Sequence, residues 1–262
     1  LHANVLLTPD ITNHTNETGT RHKAAERTAK QAGTFVMAIS ERRKKVSLYH
    51  KNTRYFLKPS DEILRDVSNS LQILEKQREI FDDLNNKLNL LEISSMTSVR
   101  DICKLLQRGE MILRIADSIK RNFTELGKVG NIMNMRYKEL LKGIERMEEN
   151  VLRDYSRMSL KKTKTLLSNL SSDGLLDIEA IARLVFEKGL EESSQPKGFR
   201  FLSNLTLTQK EVSLIVSSFK GLNEVLEDET NKLEDILKNR ASTIKEEIEN
   251  LRVQILEGKV VF

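Results

Sequence analysis

Three basic side chains in succession, Arg21-His22-Lys23, follow Gly19-Thr20 and open a stretch with helical spacing. Helix amino ends ordinarily favour acidic residues, because the aligned peptide dipoles leave partial positive charge there. Three donors crowded beside the free N–H groups of a first helical turn instead suit an anion, and phosphate matches such a cluster best. From charge alone, a solvated basic helix start is an equally good reading. Behind this turn Ala24, Ala25, Ala29 and Ala32 keep the helix slim, and Gly33 stands where a carboxy-terminal stop belongs.

No other constellation competes with this one. His2, His14, His22 and His50 lack metal-ligand spacing with Cys or acidic partners, which argues against a zinc site. GxGxxG, Walker A and GxSxG patterns are all absent from the sequence. Cys103 is the single cysteine, so no internal disulfide can form and a reducing compartment fits. Within an apolar helical pattern such a thiol reads as a small buried hydrophobe. Glu75, Glu79, Asp82 and Asp83 read as the solvated face of a long helix.

The elements that must hold the basic turn are short. Residues 3–7 (ANVLL) read as a buried strand, ended by the turn signal Thr8-Pro9-Asp10, and a polar loop then leads to Gly19. Residues 34–39 read as a second strand, and 46–49 and 55–57 as a hairpin around Lys51-Asn52-Thr53. Strand, loop, helix, strand and hairpin make the closing half of a mixed α/β domain over residues 1–58. That core is marginal for its size.

Pro59-Ser60-Asp61-Glu62 marks a boundary and a helix start. From there Leu64, Val67, Leu71, Leu74, Phe81 and Leu88 keep heptad spacing, interrupted by Arg78 and Asn85, as a packing stripe does. Residues 97–120 predict a helix or helix pair with Gly109 as a weak point, and Phe123 to Gly130 a bend. Residues 132–158 predict one long helix, 159–172 a polar continuation or loop, and 173–189 a short amphipathic helix with a glycine stop. Residues 191–198 form a second boundary. The organisation is thus α+β at 1–58, an all-helical region at 59–195 and a final helical module at 196–262. Charged residues make up 31% of the chain and aromatics 5%, and the formal charge of +5 favours an anionic partner. No apolar run approaches the roughly 20 residues that span a bilayer, so no membrane partner is expected.

ANVLLTPD at 3–10 followed by ETGTRHKAAERTAKQ at 17–31 resembles the second half of a diadenylate cyclase domain, of the kind found in DNA-integrity scanning proteins. The resemblance continues to the carboxy terminus through FKGLNEVL and the segment 231–255. It implies a cytoplasmic homo-oligomer, an octamer, in which facing domains condense two ATP into cyclic di-AMP with Mg2+ or Mn2+. Carried over by position, it puts Leu7 beside adenine or ribose. It has Thr20, Arg21, His22, Lys23 and Ala24 cradle the phosphates and Ser40 reach the nucleotide, with Arg21 and His22 in catalytic roles. Lys23 stands where the family has arginine, which keeps the charge and loses the bidentate fork.

Two departures qualify these expectations. The family's Asp-Gly-Ala metal motif, due just before residue 3, occurs nowhere in the sequence. The chain, opening on Leu1, is therefore expected to be an amino-terminally truncated piece that is inactive by itself, with no metal ligand of its own. The family's carboxy-terminal helix-hairpin-helix carries Gly-hydrophobic-Gly, where this chain has Asp235-Ile236-Leu237. A carboxylate there repels DNA phosphate, and Lys238, Arg240 and Lys245 are expected to face Glu246, Glu247 and Glu249. DNA is thus a weakened partner. A non-catalytic helical scaffold and oligomerisation module with weak nucleotide or DNA binding is the alternative reading.

Overall fold

The computed structural model describes residues 3–40, 45–228 and 231–259, so His2 lies outside it. The chain is α+β: one small sheet near the start and helices thereafter. Contacts divide it into two compact units, Leu1–Asn69 with Lys120–Met133, and Ser70–Ile119 with Asn134–Phe262.

In the first unit, helix α1 (Thr20–Ala32) ends on Gly33, whose φ of +61° is the left-handed stop that a residue without Cβ adopts freely. Strands β1 (Phe35–Ser40), β2 (Lys45–His50) and β3 (Thr53–Leu57) form an antiparallel sheet in that order. Directly opposed residues share a face. The register Val36↔Tyr49, Ala38↔Ser47, Ser40↔Lys45, Ser47↔Phe56 and Tyr49↔Arg54 therefore defines one face. Tyr49, Val36 and Ala38 on that face pack against Ala25 and Ala29 of α1. The small side chains let helix and sheet approach closely. On the other face, Phe35, Met37, Ile39 and Tyr55 are exposed.

Residues 3–7 are not a strand. They find no ladder partner among the described residues, and Val5, Leu6 and Leu7 are exposed. An apolar sequence becomes a strand only where a neighbour pairs its N–H and C=O groups, and the described sheet pairs β1 and β3 only with β2.

Helix α2 (Ser60–Ile93) begins in the first unit and continues into the second, and α3 (Val99–Leu126) contributes to both. Val67, Leu71, Leu74, Phe81 and Leu88 are buried as the heptad requires, whereas at the amino end Ile63 is buried and Leu64 only half so. Gly109 does not weaken α3. A Cβ there would stand 3.3 Å from the Phe81 ring, so the glycine serves close helix contact. A short 3-10 turn (Gly127–Gly130) makes the expected bend.

The expected long helix over 132–158 is two, α4 (Asn131–Leu141) and α5 (Ile144–Tyr155), divided by Gly143 at φ +83°. Arg78, one of the two heptad interruptions, explains the division. Its guanidinium pairs with Asp82 and donates to the carbonyls of Leu140 and Lys142, 2.9 and 2.8 Å away, satisfying the acceptors left at the end of α4. Residues Leu160–Ser168 form a helix, α6. The expected single helix over 173–189 is broken by its own caps. Ser171 accepts from Gly174 N–H to start α7 (Ser172–Leu176), and Asp177 accepts from Glu179 N–H to start α8 (Ile178–Ile181). A π turn, Ala182–Phe186, follows and ends on Glu187 in the left-handed region, ahead of Gly189.

The last segment comprises α9 (Phe199–Leu202), α10 (Gln209–Ser218), α11 (Leu222–Glu227), α12 (Lys232–Leu237) and α13 (Ala241–Leu256), closed over a core that includes Ile215, Leu222, Leu233 and Ile244. Buried polar groups pin α9 in place. Asp154 accepts the N–H groups of Gly198, Phe199 and Arg200 at 2.7–2.8 Å, capping α9 from α5. Arg200, 2% exposed, donates to Asn85 and Asn89, each at 2.6 Å, and pairs with Glu92, which also accepts from Tyr155. Asn85, the second heptad interruption, is thus the acceptor that a buried guanidinium needs.

The α12–α13 bend departs from expectation. Leu237 is buried at φ −102°, and the glycine-like backbone falls instead on Lys238, at φ 49° and ψ −120°. Among the described residues Lys238, Arg240 and Lys245 form no ion pair with Glu246, Glu247 or Glu249, although Arg240 lies near enough to Glu247 to help the bonds from Thr206 hold its carboxyl below the usual range. Arg240 pairs with Glu211, Lys245 with Glu234 and Asp228, and Glu247 accepts from Thr206.

Candidate functional site

The polar loop before α1 is laced to the helix by side chains one turn apart. Gln31 accepts the Asp10 N–H at 2.9 Å, and Arg27 and Lys30 donate to the carbonyls of Asn13 and His14 at 3.0 and 2.7 Å. Thr15 donates to Glu26, which is also paired with Lys30 at 2.9 Å. Burial works against ionisation of Glu26, but the hydrogen bonds from Lys30 and Thr15 outweigh it and hold its carboxyl below the usual range. These ties fix how residues 17–19 deliver the chain into α1. Gly19 at φ +93° makes the entry, without a side-chain cap and without an acidic residue in the first turn.

Positions 22, 25 and 29 lie on one stripe of a 3.6-residue helix. Because Ala25 and Ala29 pack on the sheet, His22 is carried over the sheet face one turn nearer the amino end. There it meets the face-sharing residues Ser40, Lys45, Ser47 and Phe56. His22, Ser40 and these neighbours line a cavity of about 320 Å³, completed by Glu17, Leu57, Lys58, Pro59 and Glu62. Two of the expected site residues, His22 and Ser40, are therefore brought together from elements 18 positions apart. Arg21, Lys23 and Thr20 are exposed on the same first turn, and Ala24 is half-buried. None of the four lines this cavity, nor does Leu7, which lies exposed in the extended segment.

The structure adds residues that motif reading passed over. Glu17, directly before Thr18-Gly19-Thr20, accepts at one carboxylate oxygen from the Tyr49 hydroxyl and from Arg54, both at 2.8 Å. Its two donors are directly opposed partners on β2 and β3, so the hairpin register builds the clamp. Arg54 also stacks 4.5 Å over Phe56, two residues along the same face. Burial, and then the bond to Glu17, push the Tyr49 hydroxyl up to about 12, so it remains a donor throughout the neutral range. The legible signal was alternation: 47 and 49, opposed to 56 and 54, had to share one face once the hairpin was assigned.

The arrangement suits an anion. Lys45 stands on the cavity wall beside Lys58, which is already paired with Asp66 and Glu62, and the first turn of α1 adds unpaired N–H groups and two exposed cations. A divalent metal does not fit the described residues. They include no group of three or more His, Cys, Asp or Glu side chains placed to hold one, and Glu17 is engaged by Tyr49 and Arg54. Among the described residues, no helix is long and apolar enough to cross a membrane.

Comparison with known proteins converges on one family. Residues 1–54 match the family model for the DisA bacterial checkpoint controller nucleotide-binding region, and residues 57–193 match that for its linker region. DNA integrity scanning protein DisA of Clostridium botulinum (strain Alaska E43) is 35% identical over 268 residues, spanning 99% of this chain and 76% of the relative. The DisA proteins of Fusobacterium nucleatum and Carboxydothermus hydrogenoformans are each 35% identical, over 97% of this chain and 76% of their own length. With both family models matched in order and such identity over nearly its whole length, the chain belongs to the DisA family of DNA-integrity scanning proteins.

Proposed function

We propose that the cavity beneath the amino end of α1 is an ATP half-site of a diadenylate cyclase. The observation that carries the reading is the convergence of His22 and Ser40, from α1 and β1, on one cavity walled by Lys45 and Lys58. Thr20, Arg21 and Lys23, with the N–H groups of residues 20–22 that the helix leaves unpaired, then present donors to the triphosphate at the helix end, and the small side chain of Ala24 leaves room beside it. Arg21 holds phosphate oxygens bidentately. His22 orients a phosphate or the attacking hydroxyl from inside the cavity. Leu7 covers adenine or ribose and Ser40 reaches the nucleotide. The Glu17–Tyr49–Arg54 clamp sets the loop that enters α1.

In the reaction, the ribose 3′-hydroxyl of one ATP attacks the α-phosphorus of the other, and pyrophosphate leaves. Repeated in the opposite sense, this closes cyclic di-AMP, so two half-sites must face one another in a homo-oligomer, an octamer in this reading. The work of this chain's own side chains is positioning and charge neutralisation. Mg2+ or Mn2+ serves such a reaction by neutralising phosphate charge. The residues described do not supply its ligands, and the sequence contains no Asp-Gly-Ala.

The second reading is a non-catalytic helical scaffold and oligomerisation module with weak nucleotide or DNA binding. Around the α12–α13 bend, Arg240 and Lys245 are already paired with acids, which leaves little field for DNA phosphate. Incubation of the chain with ATP and Mn2+, with the products resolved by chromatography, tests the reading. It predicts that ATP is retained while little or no cyclic di-AMP forms. Efficient dinucleotide synthesis would overturn the account of the metal, and failure to retain ATP would leave the scaffold reading.

A further inference from the structure

A second cavity, of about 640 Å³, lies between α3, α5 and α6, far along the chain from the sheet. Its lining includes Glu110, Leu113, Arg114 and Asp117 from α3, Glu148 from α5 and Lys164 from α6. The two cations are already matched. Arg114 pairs with Glu110 at 2.7 Å and donates to the carbonyls of Leu167 and Ser168 at 3.2 and 3.3 Å. Lys164 pairs with Glu145 and Glu149 at 3.0 and 2.8 Å. Glu148 is left over. It is 3% exposed, lines the cavity, and has no hydrogen bond or ion pair among the described residues. Asp117, exposed on the rim, has no ion pair among them either.

A buried carboxyl without a partner ionises only at heavy cost, and a cation reaching it through the cavity would offset that cost. The cavity is large enough for a small molecule, and Leu113 offers it an apolar wall. The described residues present no group of ligands placed for a metal ion. We propose that this cavity binds a small organic cation, an ammonium or guanidinium group on a short aliphatic chain, with the Glu148 carboxylate as its counter-ion. The charged groups facing Glu148 are Glu110, Arg114 and Asp117 on α3 and Lys164 on α6, with Glu145 and Glu149 on its own helix. Both cations are held by other acids, so a bound cation supplies the charge that Glu148 lacks. Burial, and then Glu110, push the Glu148 carboxyl up to about 8, so cation binding competes with a proton there.

The test is calorimetric titration of the full chain with butylguanidinium and butylammonium at pH 7 and pH 9, with 1-butanol as the uncharged control. One site is expected, binding about tenfold more tightly at pH 9, because a group titrating near pH 8 goes from about a tenth to about nine-tenths ionised across that interval. Glu148→Gln, nearly isosteric, is expected to weaken binding more than tenfold and to erase the pH dependence. Should that variant not fold, carbon-13 NMR of the wild-type glutamate carboxyls gives a second reading. Saturating butylguanidinium is expected to move the Glu148 titration midpoint from about pH 8 to below pH 7. Equal binding of 1-butanol, undiminished binding by Glu148→Gln, or no cation binding together with an unmoved midpoint would each overturn the proposal.

Discussion

Replacing Arg200 by leucine removes the guanidinium and roughly keeps the volume. Arg200 is 2% exposed, donates to Asn85 and Asn89 at 2.6 Å each and neutralises Glu92. Without it, Glu92 stays buried at 3% exposure with the Tyr155 hydroxyl as its remaining donor, and two amide oxygens lose theirs. Breaking a buried pair from one side costs about 3–5 kcal/mol, and each stranded carbonyl about 1–3 kcal/mol more. These losses overlap because the groups share one donor, so the expected total is about 5 kcal/mol. Against a typical total stability of about 5–15 kcal/mol that is a large fraction. Urea unfolding followed by circular dichroism would show it as a midpoint lowered by about 2 M at an m-value near 2.5 kcal/mol/M. The double variant Glu92→Met with Arg200→Leu removes both charges and is expected to recover at least half of the loss. The Asp154 cap on α9 uses backbone N–H groups, which both variants retain, although Glu92 and Arg200 also act on its charge. A loss below about 1 kcal/mol for the single variant, or a double variant as damaged as the sum of two singles, would refute the reasoning.

Two further outcomes can be checked on the same unfolding assay. The Glu148 carboxyl titrates near 8 in the folded chain against 4.5 for the free group, so the folded state holds an extra proton between those values. The contribution of this one group to stability is therefore fully present below pH 4.5 and is lost as pH rises towards 8, and Glu148→Gln should be more stable than wild type at pH 8 by an amount on the order of 4 kcal/mol, with no gain at pH 4. Equal pH profiles would contradict the burial argument. At the α12–α13 bend, Lys238 occupies φ 49° and ψ −120°, a conformation natural to glycine. Lys238→Gly should raise stability by about 1 kcal/mol through relieved strain, and a loss of that size would show the bend is built otherwise.

Much of this was legible because it rests on local rules. The stop of α1 at Gly33, the hairpin around Lys51 and Asn52, and the bend before Gly130 each depend on backbone freedom or alternation that neighbouring residues announce. The breaks that periodicity missed come from polar side chains acting at a distance or competing with the helix. Arg78 reaches across 62 positions to satisfy Leu140, and Asp177 caps a new helix inside an apolar pattern. Residues 3–7 looked like a strand from composition, but strand formation is a property of the pair. At the site, His22 and Ser40 were named from motif resemblance, and the structure shows why they can meet. The shared face of Tyr49 and Arg54 follows from alternation in the hairpin, but their joint hold on Glu17, 32 and 37 positions away, has no local signal.

The central claim is that the basic first turn of α1 and the cavity below it hold a nucleotide triphosphate. Equilibrium titration of the full chain with ATP, compared with Arg21→Ala, tests it most directly. Arg21 is exposed and takes no part in the packed cluster of Ala25, Ala29 and Tyr49, so the variant should fold as wild type does. Loss of a charge-assisted phosphate contact is worth about 1.5–3 kcal/mol, so saturable one-site binding should weaken about 10- to 150-fold in the variant. Binding of equal strength in both proteins, or no saturable binding by the wild type, would contradict the account.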